Sequence, residues 1–186
     1  MIDGCDFLDK YVLVGGSALT LHLCHRKSED LDFFTYDDSF DKREIFKYIR
    51  QFENKEILNQ TDEQIDLLLD GVKVTFFNAR WSFLKPKKVE IFNLATVGQI
   101  AAMKVTVLFL RAKYRDYYDI YFLVKRCMSL KKLFAVSEHI VEGVTFKLFA
   151  IALVYIDDIE DDNISYLEPI KDIKKEEIRE FFQKRL

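Results

Sequence analysis

Cysteine is scarce in this sequence and badly placed for cross-linking. Cys5, Cys24 and Cys127 are odd in number, far apart, and include no Cys-x-x-C pair. With no histidine pair at zinc-finger spacing, the pattern argues against a disulfide framework and against a structural zinc site. Free thiols in a reducing compartment are the expectation. Two prolines and six glycines are too few for a loop-rich or collagen-like design. Basic residues are not in excess: 28 Lys and Arg against 31 Asp and Glu leave a net charge of −3. A general basic coat for nucleic acid is therefore absent, which leaves room only for a local basic stripe. The strongest apolar stretches, residues 105–110 and 148–156, fall far short of the ~20 residues of a membrane span. Residues 1–10 carry three Asp and no apolar run, so no signal peptide is read there. These absences together predict a cytoplasmic protein with no membrane association.

What the chain does have is apolar and aromatic material. Of its 186 residues 49% are hydrophobic, 15% aromatic and 32% charged, the balance of a globular protein. This length buries a core without metal or disulfide staples. The branched run Tyr11-Val12-Leu13-Val14, stopped by Gly15-Gly16, reads as a buried strand, and Ser17 opens a short helix over 18–24. Residues 29–35 alternate as a second strand, and Asp41 suits the N-cap of a helix running to about 52. Strands follow at 56–58, 65–69 and 72–77, with Asp70-Gly71 as the hairpin turn between the last two. A basic loop at 85–88 precedes a short strand at 89–92. Beyond Ala95 the periodicity turns helical, with helices expected at 96–113, 116–126, 130–140, 144–155 and 173–186. The fold class is α+β: an N-terminal α/β sheet domain over 1–94 and a helical domain over 95–186.

Two constellations carry chemistry. In the first, a strand ends in Gly-Gly-Ser where a helix begins, so the backbone can approach a phosphate and the helix offers unpaired N–H groups. This is not the G-x-G-x-x-G of a dinucleotide fold. Twelve residues separate Ser17 from Asp30-Leu31-Asp32. On a strand, residues two apart share a face with Cα atoms ~6–7 Å apart, so the two carboxylates project together. They repel unless a cation lies between them, and Mg²⁺ accepts one or two carboxylates plus substrate phosphates. Taken alone, Gly-Gly-Ser is a common turn and Asp-x-Asp a common solvated edge. Both at this spacing form a candidate metal and phosphate site.

In the second constellation Lys104, Leu108, Arg111 and Arg115 fall on one helical stripe, a set of cations suited to a triphosphate. Asp119 lies fifteen residues beyond Lys104, ~22 Å along a straight helix at 1.5 Å per residue. Either the helix breaks near 114–116, with Asp116 as a new N-cap and Asp119 at N3, or Asp119 serves another purpose. In the bland alternative the stripe is a solvated face and both aspartates are caps.

The string Gly16-Ser17, then His25-Arg26, Ser28 and Asp30-Leu31-Asp32-Phe33-Phe34, resembles the signature of DNA-polymerase-β-like nucleotidyltransferases, and within them the AbiEii/AbiGii toxin branch. The later Lys104, Arg111, Arg115-Asp116, Asp119 and Tyr121 match that branch's second motif, and the two motifs span residues 12–126. The resemblance implies a toxin of a toxin–antitoxin or abortive-infection system that moves NMP from NTP to an RNA, the tRNA 3′ end among the acceptors, and that has a cognate antitoxin. It implies Mg²⁺ or Mn²⁺ at Asp30 and Asp32, and phosphate contacts from Gly16, Ser17, Lys104, Arg111 and Arg115. Arg26 would brace the carboxylates or phosphate, and Ser28 would touch ribose or phosphate. Lys104 would bind triphosphate, and Asp119 would be an essential acid and the base for the acceptor hydroxyl. The implied catalytic set is Asp30, Asp32, Lys104 and Asp119.

Two departures stand out. The strand expected to bear a third metal carboxylate has Thr75 at that position, with Asp66 and Asp70 as weaker substitutes. The first strand also begins close to residue 1, where relatives usually have an additional helical segment. These keep open a catalytically silent nucleotide- or partner-binding module on the same fold. An unrelated α/β protein with chance motifs is the third reading. His22 and His25 are expected to be structural, and the acidic run at 157–162 a solvated loop or a dock for a basic antitoxin.

Overall fold

A computed structural model describes residues 6–35, 40–81, 83–84, 87–89, 92–138, 140–141, 143–161 and 163–186, with backbone alone for 6 and 87–89. Cys5, Lys85 and Pro86 lie outside the described residues. The chain forms two compact units, residues 1–18 with 28–96, and residues 19–27 with 97–186. The architecture is α+β.

The first unit is built on one sheet. A 3-10 turn, Asp6–Lys10, leads into β1 (Tyr11–Val14), whose four residues are all buried. Four consecutive branched or aromatic side chains suit a strand covered on both faces. Helix α1 (Gly15–Leu23) starts at once, without a connecting loop. Then come β2 (Asp30–Thr35), α2 (Lys42–Ile49), β3 (Lys55–Gln60), β4 (Gln64–Leu69), β5 (Val72–Asn78), β6 (Lys87–Val89) and β7 (Phe92–Leu94). Among the described residues the strand order is β3-β4-β5-β2-β1-β7-β6. β1 is antiparallel to β2 and parallel to β7, and β2 is parallel to β5. Asp41 caps α2 by accepting a hydrogen bond from the Arg43 amide (3.0 Å). Asp70 and Gly71, both at positive φ, make the tight turn that pairs Leu69 with Val72.

Burial along β4 alternates strictly. Ile65, Leu67 and Leu69 enter the core with Val74, Phe33 and Phe76, whose rings stack at 5.5 Å. Each fully buried side chain of this size contributes ~1.5–3 kcal/mol. The period of two leaves Gln64, Asp66 and Leu68 on the opposite face. That face also carries Asp30 and Asp32, with Phe34 and Phe77 packed together farther along the same strands.

The second unit is helical: α3 (Val97–Arg111), α4 (Tyr114–Arg126), α5 (Leu130–Ser137), α6 (Phe146–Val154) and α7 (Lys175–Gln183), with 3-10 turns at Tyr155–Asp158 and Ser165–Leu167. α3 packs on α4, α5 and α6, and α4 packs on α7. Tyr117, Tyr118, Ile120 and Leu123 bury most of α4. The tyrosine hydroxyls are satisfied by backbone, Tyr117 donating to Ala152 (3.0 Å) and Tyr118 to Lys171 (2.9 Å). The 19–27 segment is stitched into this unit. The Lys27 amide donates to the Leu167 carbonyl (2.6 Å), the Ile170 amide to the His25 carbonyl (3.0 Å), and Arg126 to the Leu23 carbonyl (2.8 Å).

Several boundaries differ from the sequence expectation. The first helix begins at Gly15, so Gly15, Gly16 and Ser17 are its opening turn. The basic loop at 85–88 gives way to a strand from Lys87, and the strand expected at 89–92 lies at Phe92–Leu94. The α3 and α4 helices are separated at Ala112-Lys113. Cys24 and Cys127 are free and exposed, as expected of unpaired thiols. Among the described residues no helix is long and apolar enough to cross a membrane.

Candidate functional site

In the first unit the β1–α1 junction sits directly against β2. Gly15 has φ +69, a conformation open to glycine, and a Cβ there would overlap the Asp32 carboxylate. Ser17 Oγ donates to the Asp30 carbonyl, which ties the first turn of α1 to the backbone of β2. The junction therefore places the open amides of a helix start, those of Gly16 and Ser17, beside the two half-buried carboxylates. Asp30 and Asp32 share a face, as their spacing predicts. Ser28 is half-buried in the loop before β2.

Asp32 lies in register with Val14 on one side and Thr75 on the other. Thr75 occupies the row of the expected third carboxylate, and Asp66 is its partner on the far side. The Thr75 hydroxyl donates to Asp66 Oδ1 (2.9 Å). Asp66 also accepts from Gln64 (2.9 Å) and Asn59 (3.2 Å). Partial burial alone would raise its pKa, but the hydrogen bonds from Gln64, Thr75 and Asn59 outweigh it and hold the carboxyl below its ordinary value.

Among the described residues no three His, Cys, Asp or Glu side chains gather as a metal cage. A pair of hard carboxylate oxygens nonetheless fits Mg²⁺ or Mn²⁺, which complete their shells with water and phosphate. The absence of a side chain at Gly15 lets the Asp32 carboxylate lie close against the backbone at the start of α1.

The second unit holds a buried charge network. Asp119 is wholly buried at the second turn of α4. Its Oδ1 accepts from His25 Nε2 (2.7 Å) and Arg26 Nε (2.7 Å), and its Oδ2 from Arg26 Nη2 (2.8 Å) and Lys104 Nζ (2.7 Å). Lys104, 8% exposed, also reaches Asp116 Oδ1 (2.9 Å). The short gap at Ala112-Lys113 makes this possible, because it returns α4 alongside α3 and so brings Asp119 back to Lys104. Asp116 is the N3 residue rather than the N-cap. Lys113 is the cap, and its amide donates to Asp116 Oδ2 (3.2 Å).

Charge balances within the network, with Lys104 and Arg26 facing Asp116 and Asp119. Burial would raise the Asp119 pKa, but Lys104, His25 and Arg26 reverse it and hold the carboxyl far below the usual carboxylate range. Burial would likewise depress the Lys104 ammonium, and Asp119 and Asp116 hold it above its ordinary value. Both groups are ionised at neutral pH. A carboxylate held so strongly is a weak proton acceptor.

The cationic stripe dissolves at the same gap. Arg111 is exposed at the end of α3, whereas Arg115 is half-buried on α4. Arg26, one of the expected phosphate ligands, spends its guanidinium on Asp119 and on the Lys27 carbonyl (2.7 Å), so the carboxylate it braces is that of Asp119. His25 is structural, as expected, and Asp116 caps α4, but sequence reasoning did not find that both belong to this network. His25 is fully buried, stacks on Tyr118 and meets Asp119. Its place beside Arg26, ahead of the Asp-x-Asp strand, was the available signal.

A sequence profile described as "Nucleotidyl transferase AbiEii toxin, Type IV TA system" matches residues 5–91 and 91–184. An uncharacterized protein of Aquifex aeolicus is 32% identical over 181 residues, covering 95% of this chain and 86% of its own. Two solved structures share the fold. JHP933 of Helicobacter pylori aligns with a TM-score of 0.59 at 19% identity, over 96% of this chain and 84% of its own. MenT4, a nucleotidyltransferase toxin of Mycobacterium tuberculosis, aligns with a TM-score of 0.62 at 16% identity, over 94% and 74%. With both halves of the chain matched, the protein belongs to the AbiEii nucleotidyl transferase toxin family of type IV toxin–antitoxin systems.

Proposed function

We propose that this protein transfers a nucleoside monophosphate from an NTP to an RNA hydroxyl, the tRNA 3′ end being the acceptor to test first. It does so in the cytoplasm, as a toxin restrained by a cognate antitoxin system. An acceptor oxygen bonds to the α-phosphorus, the bond from that phosphorus to the β-phosphate bridge oxygen breaks, pyrophosphate leaves, and the hydroxyl proton goes to solvent. The observation that carries the reading is Asp30 and Asp32 on one face of β2, beside a helix start that Asp32 approaches closely at Gly15 and that Ser17 ties down. A bound Mg²⁺ or Mn²⁺ supplies charge neutralisation of the phosphates. The chain's own work is positioning: Asp30 and Asp32 fix the cation and the amides of Gly16 and Ser17 receive phosphate oxygens. Ser28 lines the approach to ribose or phosphate.

Lys104, Arg111 and Arg115 are the cations assigned to the triphosphate. The charge of Lys104 is already balanced by Asp116 and Asp119. Asp119 acts by fixing Lys104 and Arg26, and phosphoryl transfer asks little of a general base. The test is labelling of RNA by α-labelled NTP with Mg²⁺. Wild type labels RNA and Asp32→Ala, folded by its melting curve, does not; equal labelling by the variant overturns the assignment.

One observation favours a second reading, a module that binds nucleotide without turnover: Thr75 stands where a third carboxylate would. NTP binding without any labelled product in the same assay identifies it.

A further inference from the structure

The row Asp32–Thr75–Asp66 crosses three neighbouring strands in direct register, so the three side chains share one face. Strands are ~4.8 Å apart, which sets Asp66 ~10 Å from Asp32 along the sheet. Two oxygens bound to one Mg²⁺ stand at most ~4.2 Å apart, twice its ~2.1 Å ligand distance. The oxygens of Asp66 are moreover held by Thr75, Gln64 and Asn59. Asp66 is therefore no direct substitute for the third carboxylate. Its effect passes through Thr75.

A threonine hydroxyl has one proton and two lone pairs. Thr75 gives its proton to Asp66, so toward every other neighbour it is an acceptor only. Its hydrogen bond to an ionised carboxylate polarises the oxygen toward negative charge. Thr75 is 8% exposed, so this orientation is held in a sheltered place rather than averaged by solvent. Mg²⁺ gives up its water reluctantly and keeps several molecules when bound by only two carboxylates. Such waters are strong donors, and an acceptor one strand away from Asp32 is where one of them needs a partner.

We propose that Thr75, oriented by Asp66, accepts a hydrogen bond from a water of the divalent cation held at Asp30 and Asp32, and so does at one remove what a third carboxylate does by direct ligation. Thr75 and Asp66 are positioning residues. The inference rests on the cation reading of Asp30 and Asp32 given above.

The experiment is titration with Mn²⁺, following free ion by its paramagnetic resonance, on the full chain with and without NTP. The variants are Thr75→Val, Thr75→Ser, Asp66→Ala and Asp32→Asn, each checked for folding by thermal melting. Loss of a group that orients a metal's surroundings typically weakens binding ~10–100-fold, and Thr75→Val is expected to fall in that range. Thr75→Ser keeps the hydroxyl and restores wild-type affinity, which a merely space-filling role would not require. Asp66→Ala weakens binding in the same direction, and the double variant Thr75→Val/Asp66→Ala is no worse than the weaker single one, because the two act as one unit. Should Thr75→Val not fold, Asp66→Ala carries the expectation alone. Wild-type Mn²⁺ affinity in Thr75→Val or Asp66→Ala, with binding lost in Asp32→Asn, overturns this inference and leaves the cation site standing. Wild-type affinity in Asp32→Asn overturns the cation site and this inference with it.

Discussion

Asp119 is wholly buried among Lys104, Arg26 and His25, and these neighbours explain why it must be charged. With Lys104 and Arg26 buried beside it, removing its charge leaves Arg26 without its carboxylate partner and Lys104 with Asp116 alone, and breaking such a pair typically destabilises by ~3–5 kcal/mol. Asp119→Asn keeps the shape and removes the charge, so chemical denaturation should show a loss of about that size. The pH dependence follows from the depressed pKa. The stabilisation from Asp119 is fully present above its unfolded value near ~4 and is lost as pH falls below it toward the lower folded value. Wild type should therefore lose stability steeply on acidification below pH ~4, and Asp119→Asn should show a flatter acid limb. Equal acid limbs would contradict the network as described. At this scale the sequence was partly legible. Asp30 and Asp32 were readable because strand geometry alone puts i and i+2 together. The partners of Asp119 were not, because its contact with His25 and Arg26 spans more than ninety residues and no local periodicity encodes it.

Among elements, the β1–α1 junction decides the geometry around Asp32. Only glycine fits at position 15, for two separate reasons: the positive φ and the space taken by the Asp32 carboxylate. Gly15→Ala should destabilise by at least ~1–3 kcal/mol from the backbone alone and also push Asp32 aside. Mn²⁺ affinity should fall together with the melting temperature, and a variant that melts lower but binds Mn²⁺ like wild type would contradict the placement of Asp32. The turn at Asp70-Gly71 and the cap at Asp41 were readable because each is a local chemical signal. The gap between α3 and α4 was legible only as a choice. A helix through 104–119 satisfied the periodicity, and what favours the break is a buried ion pair that appears only once α4 is folded back along α3. No proline or glycine stands at Ala112-Lys113, and the one local mark of the break is Asp116 as a capping residue.

At the scale of the whole molecule, the chain passes between its two compact units three times, at 18–19, 27–28 and 96–97. A boundary near residue 94 reads off the change from alternation to helical period, but the assignment of 19–27 to the helical unit does not. That segment is bound by hydrogen bonds from Lys27 to Leu167 and from Ile170 to His25, between residues remote in sequence. With a net charge of −3 the protein has no excess of basic residues to attract polyanions in general, so the triphosphate recognition proposed above would be local and cation-assisted. The claim everything else depends on is that Asp30 and Asp32 hold the divalent cation that brings the nucleotide. Calorimetric titration with each NTP, in Mg²⁺ and in chelator, on wild type and on the Asp30→Asn and Asp32→Asn variants tests it most directly. The account predicts NTP binding by wild type that requires Mg²⁺ and is lost in both folded variants. Mg²⁺-dependent binding of undiminished affinity in either variant would contradict it.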